Sequence, residues 1–184
     1  MKRLLLLVGL IGVGSPALAQ EETLISGDFH SGGFGAPVVK FTELGNEFAV
    51  FVGGRGGWII NHTFVLGVGG YGLANDIDFG TGLARAVELG YGGLELEYIN
   101  NSANLVHFTV FLLVGGGGLS GTAVAEESVF VLEPAVNGEV NVTRYFRLHA
   151  GVGYRWVTGV DQTDLNSSDL SALFGQVQFK FGTF

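Results

Sequence analysis

The sequence predicts an all-β fold: an eight-stranded antiparallel up-and-down transmembrane β-barrel. Three observations predict it. Apolar and polar residues alternate with a period of two over eight stretches, which places them on opposite faces of strands. Short connections rich in turn formers alternate with longer ones. The chain is 47% hydrophobic, yet past its first residues no apolar run approaches the ~18 needed for a membrane helix. One strand face then suits lipid, and the other a small polar interior.

The elements follow in chain order. Met1-Lys2-Arg3 is basic, Leu4 to Gly14 is apolar, and Ser15-Pro16 breaks the run before Ala17-Leu18-Ala19. A basic start, a short apolar stretch and a small-x-small site make residues 1–19 a secretory signal peptide. Residues 20–32 read as an N-terminal lead, disordered or holding a short strand, and 33–184 as the barrel. The formal charge is −8, and losing Lys2 and Arg3 makes the mature chain more acidic still. That balance argues against nucleic acid, which selects basic surfaces. The absence of cysteine removes disulfides and thiolate metal sites. With 32 glycines and 15 phenylalanines, the composition favours sheet over helix.

Strands are expected at roughly 34–43, 47–60, 63–74, 85–99, 104–115, 128–141, 145–158 and 171–183. The first three face ambiguously, because glycine fills many sites. In the fourth, Val87, Leu89 and Tyr91 are out of phase with Leu94, Leu96 and Tyr98, so a β-bulge at Gly92-Gly93 is expected to restore one outward face. In the fifth, Val106, Phe108, Val110, Leu112 and Val114 oppose His107 and Thr109. In the sixth, Phe130, Leu132, Val136, Val140 and Val142 oppose Glu133, Asn137, Glu139 and Asn141. In the seventh, Phe146, Leu148, Ala150, Val152, Tyr154 and Trp156 oppose Arg147, His149 and Arg155. In the eighth, Val177, Phe179 and Phe181 oppose Gln176, Gln178 and Lys180.

The connections 60–63, 100–103 and 141–144 are short, while 75–84, 115–127 and 158–170 are longer, with 43–47 a short member of the second set. Short periplasmic turns and longer outer loops suit a barrel with both termini periplasmic. Asn61, Asn101 and Asn141 recur at hairpin spacing. Trp58, Phe64, Tyr98, Tyr145 and Phe146 beside the short turns, with Tyr71, Tyr91, Tyr154 and Trp156 toward the long loops, read as two interface girdles.

This facing sends Lys40, Arg55, Arg147, Arg155 and Lys180 inward, together with Glu95, Glu97, Glu133, Glu139, His107 and His149, and Glu88 near the rim. Eight strands enclose just enough room for side chains. A paired ionic network filling the lumen is the expectation. Glu133 is expected opposite Arg155, Glu139 opposite His149, and Glu97 facing His107.

No motif points to catalysis or a cofactor. Asp76-Ile77-Asp78-Phe79-Gly80 starts like a calcium loop but lacks its later ligands. Asp161, Asp164 and Asp169 read as a plain solvated acidic loop, with a meeting with Asp76 and Asp78 at the outer rim, to attract divalent cations or a partner's basic groups, as the alternative. The four histidines show no metal-ligand spacing. Ser120 or Ser128 with His107 and Glu97 lack any linking motif. Gly115 to Gly118 has no following lysine or helix, so it is a flexible loop rather than a phosphate cradle. No cofactor is expected.

With its signal peptide, dyad repeats, loop alternation and final strand Gly175-Gln176-Val177-Gln178-Phe179-Lys180-Phe181-Gly182-Thr183-Phe184, the chain resembles the small eight-stranded outer-membrane β-barrel proteins of the OmpA/OmpX type over about residues 33 to 184. The segments Gly53 to Asn61 and Gly67 to Gly72 resemble a distinct subgroup. The resemblance implies a bacterial outer-membrane location, contact with outer-membrane lipid, and recognition of the C-terminal strand by the barrel-assembly machinery. In that class a terminal aromatic is read together with outward residues at alternate places before it. Here Val177, Phe179 and Phe181 are one place out of phase with Phe184. Either the last residues bend, or Phe181 ends the outward row.

The expected role is structural or surface-interacting in the cell envelope, with an extracellular partner of unknown kind and no catalytic residues. Two rivals stand beside it: a lipid-modifying barrel enzyme, and a soluble lipocalin-like periplasmic binder, which would reverse the two faces.

Overall fold

The structure, a computed structural model, describes residues 30–45, 47–77, 87–121, 124–160 and 166–184. The expected signal peptide, most of the lead, and Asp78, Asp161 and Asp164 lie outside them. Eight strands follow in order: β1 (Ser31–Leu44), β2 (Glu47–Ile60), β3 (Phe64–Leu73), β4 (Val87–Ile99), β5 (Val106–Gly121), β6 (Val124–Thr143), β7 (Phe146–Thr158) and β8 (Ala172–Thr183), with a short helix α1 (Ser167–Leu170) before the last. Each strand pairs antiparallel with its sequence neighbour, and β1 pairs with β8, closing an up-and-down barrel. β1 thus starts two residues inside the segment expected to be a lead. Among the described residues no helix is long and apolar enough to cross a membrane.

The outward wall is apolar. Val52, Leu66, Val68, Leu94, Leu96, Phe108, Val110, Phe130, Val136, Val152, Phe179 and Phe181 are all exposed. Lys40, Arg55, Glu95, Glu97, Glu133, Glu139 and Arg155 are buried inside. This is the opposite of a lipocalin-like distribution, in which the greasy face lines the cavity.

The expected bulge in β4 is absent. Tyr71↔Tyr91, Gly70↔Gly92 and Gly69↔Gly93 run in unbroken register, as do Gly92↔Gly116 and Gly93↔Gly115. Leu89 and Tyr91 instead point inward, at 3% and 5% exposure. The polarity change along β4 therefore marks a change in what fills the barrel, from carboxylates toward the short turns to apolar rings toward the long loops. Irregularities occur at Leu119/Gly121 and at Asn141/Thr143.

A second difference concerns Gly115 to Gly118, expected in a loop. These glycines continue β5 as a strand, and only residues 122–123 separate β5 from β6. Glycine suits this ladder for a steric reason: a Cβ at Gly115 would lie 2.1 Å from the Gly92 oxygen, and one at Gly117 2.2 Å from the Gly90 oxygen.

At the short turns, Asn61, His62 and Asn101 have φ of 49°, 55° and 51°, the left-handed region that asparagine tolerates. Asn141 does not sit at its turn. Its amide donates instead to the carbonyls of Ser102 and Asn104, tying two turns together.

Candidate functional site

The barrel interior brings together many charged and polar side chains, and it has three levels. Toward the short turns lies an apolar cluster of Phe34, Ala36, Ile59, Val65 and Ile99, with Phe184 packed against it. The middle is ionic. Toward the long loops lies a larger apolar cluster that includes Leu44, Phe51, Leu89, Phe111, Leu113, Val131, Leu170 and Phe174.

In the middle level, strand alternation aims each charge at the axis, and closure brings strands from opposite sides within reach. Lys40 on β1 pairs with Glu133 on β6. The Tyr91 hydroxyl donates to the same carboxylate at 2.6 Å. Arg55 on β2 bridges two acids of β4, through Nε to Glu95 at 2.6 Å and through Nη1 to Glu97 at 2.8 Å. The Tyr71 hydroxyl donates to Glu95 at 2.6 Å. Lys180 on β8 joins Glu97, at 2.7 Å, to Glu139. Glu139 also receives Arg147 Nη1 at 2.8 Å and lies 3.0 Å from His107 Nε2. A neutral relay adjoins these pairs: Gln176 donates to Asn137 at 2.7 Å, Asn137 to Thr109 at 3.3 Å, and Thr109 shares a hydrogen bond with His149 at 3.0 Å.

The expected interior residues other than Glu88 therefore face inward, but one expected register differs and one carboxylate takes another partner. Glu133 does lie opposite Arg155, between the pairs Leu132↔Trp156 and Ala135↔Gly153, but its carboxylate takes Lys40 from across the lumen. Glu97 lies opposite Phe111, because the β4–β5 hairpin centres nearer Asn104 than Ser102, so His107 reaches Glu139 instead. Glu139 does lie opposite His149. Arg155 is buried, and among the described residues no carboxylate forms an ion pair with it. Its Nε donates to the Leu170 carbonyl at 3.0 Å, its guanidinium stands 4.7 Å from the Phe51 ring centre, and its terminal nitrogens have no hydrogen-bond partner among the described residues. Glu88, expected near the rim among the inward charges, is exposed.

The girdle assignment is corrected at two places. Tyr71 and Tyr91 are interior residues whose hydroxyls serve the glutamates. Trp58, Phe64, Tyr98 and Tyr145 are exposed toward the short turns. Toward the long loops, Tyr154 packs on Trp156 at 4.6 Å and Phe41 stacks with Phe48 at 6.4 Å.

Ser128 lies opposite Gly118 while His107 lies opposite Glu139, far apart along the same hairpin. Glu97, Glu139 and His149 bring ligand atoms within 4.8 Å of one another, but the Lys180 ammonium already bridges the two carboxylates there.

The C-terminus resolves the phase question. Phe181 is exposed on the outer wall, and Phe184 turns inward, 6.4 Å from Phe34 and 4.0 Å beneath the Arg147 guanidinium. Phe181 ends the outward row.

With this geometry in hand, solved structures give a consistent likeness. Neisserial surface protein A matches at TM-score 0.60 and 11% identity, over 85% of this chain and 99% of its own. The N-terminal β-barrel domain of Pseudomonas aeruginosa OprF matches at 0.58 and 9%, over 81% and 96%. Ail of Yersinia pestis, the attachment invasion locus protein, matches at 0.50 and 11%, over 83% and 96%. The fold is that of the small eight-stranded outer-membrane barrels. No family model matches the chain, and no curated protein matches it by sequence. At such identities the likeness carries the architecture and leaves the interior pairs as this chain's own.

Proposed function

We propose that the chain is a small bacterial outer-membrane barrel with a plugged interior and a structural or surface-interacting role in the envelope, not an enzyme. The observation that carries this reading is the contrast between its two faces. The outer wall is a continuous apolar band, and a charge placed on it would cost about 2–4 kcal/mol at the bilayer midplane. The charges are gathered instead into a buried interior network, closed above and below by apolar clusters. Such pairs add little net stability over an apolar core, but they let a barrel of this size fill its lumen without an aqueous path. Contact with outer-membrane lipid follows from the apolar band, and recognition by the barrel-assembly machinery is assigned to β8 with Phe181 as its outward terminus. The likeness to Ail and to the neisserial surface protein supports a role at the cell surface.

Planar-bilayer recording tests the plug. The folded protein is expected to give no steady conductance above the lipid background. A stable ion-selective pore would overturn the reading.

A further inference from the structure

The sequence shows no metal-ligand spacing among its histidines, but the fold brings two of them together at the short-turn end. His30 immediately precedes β1, and His62 lies in the β2–β3 turn. Both are exposed, and their rings sit with centroids 5.1 Å apart and planes tilted by 40°. The backbone fixes this spacing: Asn61 N donates to the His30 carbonyl at 2.9 Å, and His30 N donates to Asn61 Oδ1 at 3.1 Å. Asn61 and His62 both have left-handed backbone, with φ of 49° and 55°. In such a hairpin turn glycine commonly takes the second place. Histidine there carries about 1 kcal/mol or more of local strain, and in return aims an imidazole toward its neighbour.

We infer that the His30–His62 pair binds a divalent transition-metal ion of borderline softness, Cu2+, Ni2+ or Zn2+. Imidazole suits these ions. Two imidazoles bound at about 2.0–2.1 Å to one tetrahedral ion have ring centroids about 5 Å apart, the separation found here. Both rings are exposed, within reach of an ion from solution. Competing imidazole and thiolate donors are few: the chain has no cysteine and four histidines, and the other two, His107 and His149, are buried in the barrel.

The two tryptophans provide the readout. Trp58 Nε1 donates to Ser31 Oγ at 2.7 Å, one residue from His30, whereas Trp156 lies toward the opposite end. In a Trp156→Phe background, Cu2+ is titrated into the mature chain folded in detergent micelles while Trp58 emission is followed. Saturable quenching is expected, with a large excess of the weaker-binding Zn2+ reversing it by competition. His30→Gln and His62→Asn should each weaken the apparent affinity about tenfold or more, and asparagine keeps the left-handed turn intact. An unchanged strand circular-dichroism spectrum certifies the fold of each variant, and either variant alone decides. Absence of saturable quenching, or equal quenching in a folded variant, would overturn the inference.

Discussion

At the scale of single residues, the interior shows how a buried charge is tolerated. Lys40 is fully buried, and its ammonium stands 3.4 Å from the Tyr71 ring centre and against Glu133. Among the described residues no other carboxylate lies within ion-pair reach of it. Removing one partner of such a pair leaves an uncompensated charge in a dry place, at about 3–5 kcal/mol. Glu133→Gln should therefore lower stability by that order, read as a shift in the urea midpoint of the folded barrel in micelles. Lys40→Met combined with Glu133→Gln removes both charges and should be less damaging than Glu133→Gln alone. If the double variant is worse, the ion pair is not what couples these residues. Arg55 is different, because it holds two carboxylates. Glu95→Gln leaves it Glu97, so the loss should be smaller than for Glu133→Gln in the same assay.

At the scale of elements, the glycine-rich β5 supplies a facing test. Gly117 and Gly118 are adjacent but point to opposite sides. A Cβ at Gly117 would strike the Gly90 oxygen and the Tyr91 side chain, whereas one at Gly118 meets nothing within 4 Å. Gly117→Ala should cost about 1–3 kcal/mol through overpacking, and Gly118→Ala should be neutral in the same unfolding assay. Equal losses would contradict the facing of this hairpin. The same strand shows where the sequence was legible. Val106, Phe108 and Val110 alternate with His107 and Thr109, so their facing could be read directly, as could the β6–β7 register centred on Arg144. Gly115 to Gly118 carry no periodic signal, and their low strand propensity pointed to a loop. What makes them strand is a row of facing glycines on β4, a non-local match that no local pattern reveals. Tyr91 is hidden from the sequence for a related reason. Alternation alone says which residues share a face, and it does not say which face is outward where the upper interior is itself apolar. The Lys40–Glu133 pair joins β1 to β6 across the lumen, and only the three-dimensional closure shows it.

At the scale of the whole molecule, the stacking of levels makes a specific claim about closure. Phe184 is the last residue at one mouth, stacked on Phe34 and held under Arg147. Behind it stand Arg147, Glu139, Lys180 and Glu97 in one connected chain. Behind those stand Tyr71 and Tyr91, and then the apolar cluster that includes Leu170 of α1, itself fixed by Arg155 Nε and by Gly45 N donating to the Asp169 carbonyl at 2.9 Å. If closure is distributed in this way, opening one mouth gives no path through the barrel. Phe184→Ala should lower stability, because it forfeits the ring stack and the cation–π contact, each worth roughly 0.5–2 kcal/mol. It should leave bilayer conductance at background, since the ionic level remains intact. The two readouts separate the possible roles of the residue. A variant that loses stability and stays closed shows Phe184 to be packing. A variant that conducts would make Phe184 the barrier itself, and the ionic network behind it would then have to be wet rather than dry.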